Sequence, residues 1–318
     1  MRKVLVVGDA NVDIIVLLPR LSGDERRKVE FSAPSIQGGG TSANTAVALS
    51  RLGIPVAFLG SIGDDQYGHY ILKDFADEGV DTSALIVEPK LNTVGVFAFV
   101  DETGERYLWG WPRVDQAFKA IDEAKVDFGS VREASWVHSS GMSLVHDSTA
   151  RYAIIDIFKA ARGAGIPTSF DLNLRLGGGK MEPSYGMVIA EILELSDYVL
   201  GSGPDEFEYL GDHGWEGNAR SLVREGRTVV VRLGGKGAMG ISSRDECREG
   251  AFPVKVTDTV GAGDVFNAGF ISATLRGFPL RDAVRMGNAV SGYKVSRQGA
   301  RNSPRANELE AFLGQFSS

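Results

Sequence analysis

One cysteine, Cys247, stands in 318 residues. A lone thiol forms no internal disulfide, so this is not a disulfide-stapled scaffold, and it suggests a reducing compartment. No stretch approaches the roughly 18 apolar residues of a membrane span. The opening "MRKVLVVGDANVD" has two basic residues, but its apolar run is too short for a signal peptide. A soluble, cytoplasmic protein is expected, with no membrane partner. Basic residues are in deficit, 34 Lys and Arg against 41 Asp and Glu, for a net charge of -7. That argues against a general nucleic-acid binder but leaves an anionic small molecule open, because local patches decide that. The four histidines, His69, His138, His146 and His213, show no metal-ligand spacing. The P-loop pattern G-x-x-x-x-G-K-[ST] is missing, as are internal repeats and low-complexity tracts.

What is present reads as alternating strands and helices. "KVLVVGD" (3–9) is a buried strand, continuous and Val-rich. "TSANTAVALSRLG" (41–53) has helical spacing and a Gly stop. "PVAFLGSIG", "ASWVHSSG", "PTSFDLNLR", "DYVLGSG" and "TVVVRLGG" read as further strands. "YGHYILKDFADEGV", "STARYAIIDIFKAARGAG", "EPSYGMVIAEILELS" and the start of "PDEFEYLG" read as helices. Such alternation implies an α/β fold, a mostly parallel sheet covered by helices on both faces. One region departs from it. "TVGVFAFVDETGERYLWGW" (93–111) reads as a hairpin around Glu102, Thr103 and Gly104, and segments near 12–18 and 28–37 look strand-like without intervening helices. These are expected to form a small β-rich flap inserted into one domain spanning 1–318.

Two stretches imitate the dinucleotide fingerprint G-x-G-x-x-G/A, which needs a strand before it and a helix after it. "GGGTSA" (38–43) lacks a good buried strand, and "GKGAMG" (235–240) runs into "ISSRDE", which is no helix. "DTVGAGDVFNAGF" (258–270) is different. Its small residues precede a convincing helix, "VFNAGFISATL". A helix N-terminus carries unpaired N–H donors and partial positive charge, and glycines admit an anion closely. The same stretch also reads as a plain turn, with Asp264 capping the helix.

The arrangement of four stretches resembles the ribokinase-like (PfkB) carbohydrate kinase family. "GGGTSANTAVALSRLG" and "DTVGAGDVFNAGF" are similar to its two motifs, "VRLGGKGA" to its nucleotide-binding turn, and "NAVSGYKVSRQGA" to its adenine-side helix and loop. They occur in the family's order and cover nearly the whole chain. The resemblance implies a three-layer α/β/α fold with a small β-sheet lid. It implies transfer of the ATP γ-phosphoryl group to a sugar-type hydroxyl, with Mg²⁺.

The resemblance also assigns residues. Asp264 takes the catalytic base position, and the N–H groups of Gly261, Ala262, Gly263 and Asp264 an anion hole. Asn11, Asp13, Gly39, Gly40 and Asn44 take sugar-binding positions. "DLNLR" (171–175) looks like the D-x-N-x-R of fructokinases and 2-keto-3-deoxygluconate kinases; it brings Asp171 and Arg175 to the substrate, with Arg175 facing phosphates on the family pattern. Arg232, Gly234, Lys236, Gly237 and Asn288 fall on nucleotide positions. Asp205 and Glu208 stand for N-x-x-E, with Asp in place of Asn, and Glu208 reaches Mg²⁺ through water. Asp258, Val260, Gly299 and Ser303, with main-chain oxygens of Lys294 and Arg297, match a monovalent-cation site, which leaves room for K⁺.

The aromatic residues Phe97, Phe99, Tyr107, Trp109 and Trp111 are expected in the flap, some packing on the sugar and others burying the hairpin's own face. Flap edges could also pair two copies of the chain. The expectation is an ATP-dependent kinase of a sugar or sugar acid, fructose-like or 2-keto-3-deoxygluconate-like. Other readings are a nucleoside kinase, a phosphosugar kinase using Lys28, Lys90 or Arg106, and a non-catalytic sugar sensor.

Overall fold

The computed structural model of the chain describes residues 2–18, 33–101, 106–112 and 114–316. The first strand, β1 (Val4–Val7), is buried at every position. Its side chains alternate between two apolar cores. Val4 and Val6 belong to one, Leu5 and Val7 to the other. A strand with cores on both faces must be apolar throughout, which is why "VLVV" shows no polar alternation. The next elements are β2 (Asn11–Leu17), β3 (Ser35–Gly39) and α1 (Thr41–Arg51), then β4 (Val56–Leu59), β5 (Ser61–Gly63), α2 (Gln66–Asp77) and β6 (Ile86–Glu88). The hairpin strands β7 (Gly95–Val100) and β8 (Arg106–Trp111) follow, then α3 (Phe128–Glu133), β9 (Trp136–Ser140), α4 (Thr149–Gly163) and β10 (Thr168–Asp171). The chain continues through α5 (Pro183–Glu194), β11 (Tyr198–Ser202), α6 (Gly214–Ser221) and β12 (Thr228–Arg232). It ends in β13 (Ala238–Ile241), β14 (Glu246–Glu249), α7 (Ala262–Leu275), α8 (Leu280–Val295) and α9 (Ala306–Gly314).

Eight strands form the main sheet in the order β14-β13-β12-β11-β10-β9-β1-β4. From β4 to β12 neighbours run parallel; β13 and β14 are antiparallel additions at one edge. Helices α1, α7 and α8 contribute to one core, α4 and α5 to the other, which gives three layers. In such a sheet the C-terminal strand ends converge on a crevice where ligands bind. β2 leaves the end of β1 and enters a second sheet, ordered β3-β2-β7-β8.

Two local expectations are corrected. "PVAFLGSIG" is not one strand: it divides at Gly60 into β4, which pairs with β1, and β5, which pairs with β6. "PDEFEYLG" starts no α-helix; it makes a short 3-10 turn at Phe207–Leu210, and α6 begins at Gly214. The Asn218 amide takes the carbonyls of Phe207, Glu208 and Gly211, so these are not available to continue a helix. Residues 28–32 and the hairpin tip at Glu102, Thr103 and Gly104, with Lys28, lie outside the described residues. No helix among the described residues is long and apolar enough to cross a membrane.

Candidate active site

The first turn of α7 meets the first turn of α1. Gly261 precedes α7 with φ 75°, a left-handed value that costs glycine little. Ala262 N–H donates to Thr259 O at 3.1 Å, closing a turn. The amides of Gly261, Gly263 and Asp264 donate to no acceptor among the described residues. They are the unpaired donors of a helix start, ready for an anion. Ala262, expected as a fourth donor, has its N–H engaged in the turn instead.

Asp264 is only 7% exposed. Asn44 Nδ2 donates to its Oδ2 at 2.8 Å, and Thr45 Oγ1 donates to its main-chain oxygen at 3.2 Å. Burial pushes the Asp264 carboxyl up to about 7; the Asn44 hydrogen bond pulls down, Asp171 and Asp9 push up, and Arg232 pulls down. A carboxylate that titrates there is matched to accepting a proton near neutral pH.

A cavity of 330 Å³ opens above Asp264. Asn11, Asp13, Gly40, Asn44, Asn173 and Arg175 line it, as do Val260, Gly261 and Gly299. Asn11 Nδ2 donates to Asp13 Oδ1 at 2.7 Å, which fixes the pair side by side. Gly39 sits against them: a Cβ there would fall 2.5 Å from Asp13 Oδ2, so a larger residue would displace the pair. Asp9, passed over in the sequence, also lines the cavity and accepts from Thr41 N and Ser42 N at 2.9 and 3.2 Å. It caps α1, and the signal was present in the run Gly-Asp after a buried strand.

The second sheet roofs this cavity with aliphatic side chains. Ile15, Ala98 and Leu108 lie in one cross-strand row and all line the cavity, with Val96 beside them. The aromatic residues alternate to the other face. There Phe97 stacks on Trp109 with centroids 5.6 Å apart, and contacts Trp111 at 4.5 Å and Phe99 at 5.8 Å. Trp111 meets Tyr67 of α2 edge-on. Tyr107 pairs with Phe99 on that same outer face and is exposed, so its expected contact with substrate is corrected. Lys90 is exposed in a turn and does not line the cavity either.

Beneath α7 lies a buried charge cluster. Arg232, at the end of β12, bonds Asp171 Oδ1 at 2.7 Å and Asn267 Oδ1 at 2.6 Å, and lies 3.5 Å from Glu206 Oε2. A Cβ on Gly263 would come within 3.2 Å of the Arg232 guanidinium carbon. The guanidinium is therefore packed under the anion-binding turn rather than extended to a nucleotide. Asp171 is fully buried and does not line the cavity. Both expectations are corrected for one physical reason: each buried charge needs its partner more than solvent or substrate does. Asn173, two residues on, lines the cavity in place of Asp171, with φ 31° and its Oδ1 unpartnered among the described residues.

The two carboxylates expected near Mg²⁺ are elsewhere. Glu208 Oε2 accepts from Trp215 N at 2.7 Å and caps α6; Asp205 is exposed and accepts from Ser202 Oγ at 2.8 Å. Glu206 is the one that turns inward, accepting from Leu174 N at 3.1 Å and from Ser202 N. Burial raises its pKa, Asp171 adds to this, and Arg232 opposes. The four-residue spacing counted from Gly203 ends on Glu206, a register the sequence left hidden because three acidic residues fall within four positions. Gly234 and Lys236 form a short turn between β12 and β13, and Leu233 N–H donates to Gly237 O at 2.8 Å. Asn288 gives its amide to Glu249 O at 3.0 Å and Gly250 O at 3.3 Å, which ties α8 to the end of β14.

A model of the pfkB family of carbohydrate kinases matches residues 1–307. The chain belongs to that family. An ATP-dependent ribose-1-phosphate kinase from Halopiger xanaduensis is 30% identical over 99% of this chain and 99% of its own length. A fructokinase from Vibrio alginolyticus is 30% identical over 99% of this chain and 100% of its own. The crystal structure of aminoimidazole riboside kinase from Salmonella enterica, complexed with aminoimidazole riboside and an ATP analog, matches at a TM-score of 0.80 and 26% identity. It covers 98% of this chain and 99% of that one. This pfkB kinase is thus a phosphotransferase acting on sugar-type hydroxyls.

Proposed function

We propose that this pfkB kinase transfers the γ-phosphoryl group of ATP to a hydroxyl of a monosaccharide or sugar acid, with Asp264 as the base. The acceptor hydroxyl oxygen attacks phosphorus as the bond to the β-phosphate oxygen breaks, and its proton passes to the Asp264 carboxylate. The free amides of Gly261, Gly263 and Asp264 face the group in transit. They act in a water-poor site, where fixed donors are worth most. Asn11 and Asp13 hold neighbouring hydroxyls of the acceptor.

The observation that carries this reading is the convergence of Asp264, the Asn11–Asp13 pair and Arg175 on one 330 Å³ cavity. Arg175 Nε contacts Met142 Sδ at 3.1 Å and leaves its fork open to a carboxylate or carbonyl oxygen. That favours a keto sugar or keto-deoxy sugar acid. No aromatic ring is among the described lining residues, so a nucleobase would find no stacking partner.

Among the described residues no three His, Cys, Asp or Glu side chains converge as a metal cage. This suits Mg²⁺, which keeps its waters and binds through phosphates with one or two carboxylates. Glu206 would hold it through water, and when bound it neutralises charge on the phosphates. The turn at Gly234–Gly237 with Lys236 would receive the nucleotide phosphates.

The test is a screen of sugars, sugar acids, nucleosides and phosphosugars with ATP and Mg²⁺, with Asp264→Asn beside wild type. Turnover of a sugar or sugar acid that the variant loses supports the reading. Near-normal turnover by the variant overturns the base assignment, and no turnover of any acceptor favours the sensor.

A further inference from the structure

Lys294 is the one lysine that is fully buried among the described residues. It lies in the last turn of α8, and its ammonium has a definite place to go. Nζ donates to the main-chain oxygen of Asp258 at 2.8 Å and lies 3.6 Å from Asp258 Oδ1. The same Asp258 carboxylate accepts from Val260 N at 2.9 Å and from Gly299 N at 2.7 Å. One chain-borne positive charge therefore joins three segments: the end of α8, the turn leading into Gly261, and the loop after Gly299. Asp258 is itself buried. Such a cation is stable there only because the carboxylate and carbonyl replace its water.

Asp258 is the one charged ligand among those expected for a monovalent cation. K⁺ and an alkylammonium are of similar size and choose the same carbonyl and carboxylate ligands. With the ammonium in contact with Asp258, a K⁺ at the same oxygens would stand beside a like charge with no water between them. The expected carbonyl ligand of Lys294 accepts from Arg297 N at 2.9 Å, which spends one of its two lone pairs. The site does not fit a second cation.

We propose that the Lys294 ammonium is a built-in monovalent cation, holding the Asp258–Gly261 turn from within, and that this kinase works without K⁺. The turnover part of this proposal rests on the kinase reading; the binding part does not. Cutting the side chain back would open a cation-sized space lined by Asp258. The Ser303 hydroxyl, also expected at such a site, is buried and without a hydrogen-bond partner among the described residues.

The experiment compares wild type, Lys294→Ala and Lys294→Gln in K⁺, Na⁺, NH₄⁺ and tetramethylammonium chlorides at constant ionic strength, reading both turnover and thermal unfolding. Wild type should show the same kcat/KM and Tm in every salt. Lys294→Ala in tetramethylammonium should lose at least ~10-fold in kcat/KM, because Asp258 is left buried without its counter-charge. It should recover saturably with K⁺ or NH₄⁺, and its Tm should rise over the same concentrations. Lys294→Gln, which keeps a donor but fills the space, should be impaired and not rescued. Saturable K⁺ activation of wild type, or a K⁺-specific rise in its Tm, overturns the proposal whether or not either variant folds. Full activity of Lys294→Ala without K⁺ overturns it too. If wild type phosphorylates no acceptor, the kinase reading falls while the unfolding curves still decide the cation question.

Discussion

Asn44 Nδ2 donates to Asp264 Oδ2 at 2.8 Å, a bond between two side chains 220 residues apart in sequence. It ties the amide on α1 to the carboxylate on α7 and favours the ionised form of that carboxylate. The acid limb of kcat/KM should therefore sit near 7, where burial has placed Asp264. Asn44→Leu removes a group that lowers this pKa, so its limb should move to higher pH. Asp264→Asn should lower kcat by roughly 10²–10⁴-fold above pH 7, the usual worth of a general base, and should lack the acid limb. Rate–pH profiles of the three proteins check this.

The same shift has a stability consequence. The folded pKa of Asp264 lies above its ordinary value of 3.8. Its stabilising contribution is thus complete below that value and is lost as pH rises through about 7. Asp264→Asn carries no such penalty. Its stability relative to wild type should grow between those pH values and then level off, by on the order of a few kcal/mol. Urea unfolding at pH 4, 6 and 8 reads it; a difference independent of pH would contradict it.

Arg232→Met should destabilise the fold by roughly 3–5 kcal/mol, since Asp171 and Glu206 would remain buried beside an apolar chain. Adding Asp171→Asn should restore part of that loss, a coupling that a double-mutant cycle measures.

Glu206 and Glu208 should separate cleanly. Glu206→Gln is expected to raise the Mg²⁺ concentration needed for half-maximal turnover. Glu208→Gln, which only weakens the cap on Trp215 N, should cost about 1 kcal/mol of stability and leave the Mg²⁺ dependence unchanged. Titrations of turnover with Mg²⁺ distinguish them.

Arg175→Ala should raise the acceptor KM by roughly 10–100-fold, the worth of a charged hydrogen bond, and leave the ATP KM near its original value. Leu108→Ala should raise the acceptor KM a few-fold through lost roof contact, whereas Tyr107→Ala, on the outer face, should leave it unchanged. Initial-rate kinetics with each substrate varied in turn resolves these.

The α/β layering was legible because it rests on local periodicity: "VLVV" without polar alternation needs apolar cover on both sides. Asp264 and its glycines were singled out by the resemblance of their stretch to a family motif; the residues alone left a plain turn with a capping carboxylate open. Asp171 and Arg232 were not. They meet only because β11 lies between β10 and β12 in the sheet, and strand order is not written in either neighbourhood. The hairpin showed alternation but not which of its faces would be roof, since a shift of one residue exchanges the two. Lys294 was legible only through its main-chain oxygen, because burial of an ammonium is a decision of tertiary packing.

β2 starts beneath the cavity with Asn11 and Asp13 and continues as the roof strand that carries Ile15. On the proposed reading, the groups that would grip the acceptor and the surface that would shut out water are successive residues of one strand, while the base belongs to a different layer. An acceptor missing one hydroxyl loses more than a contact: it loses leverage on the strand that aims its reactive oxygen. Substrate choice would then be enforced through turnover, with poor acceptors held yet seldom converted.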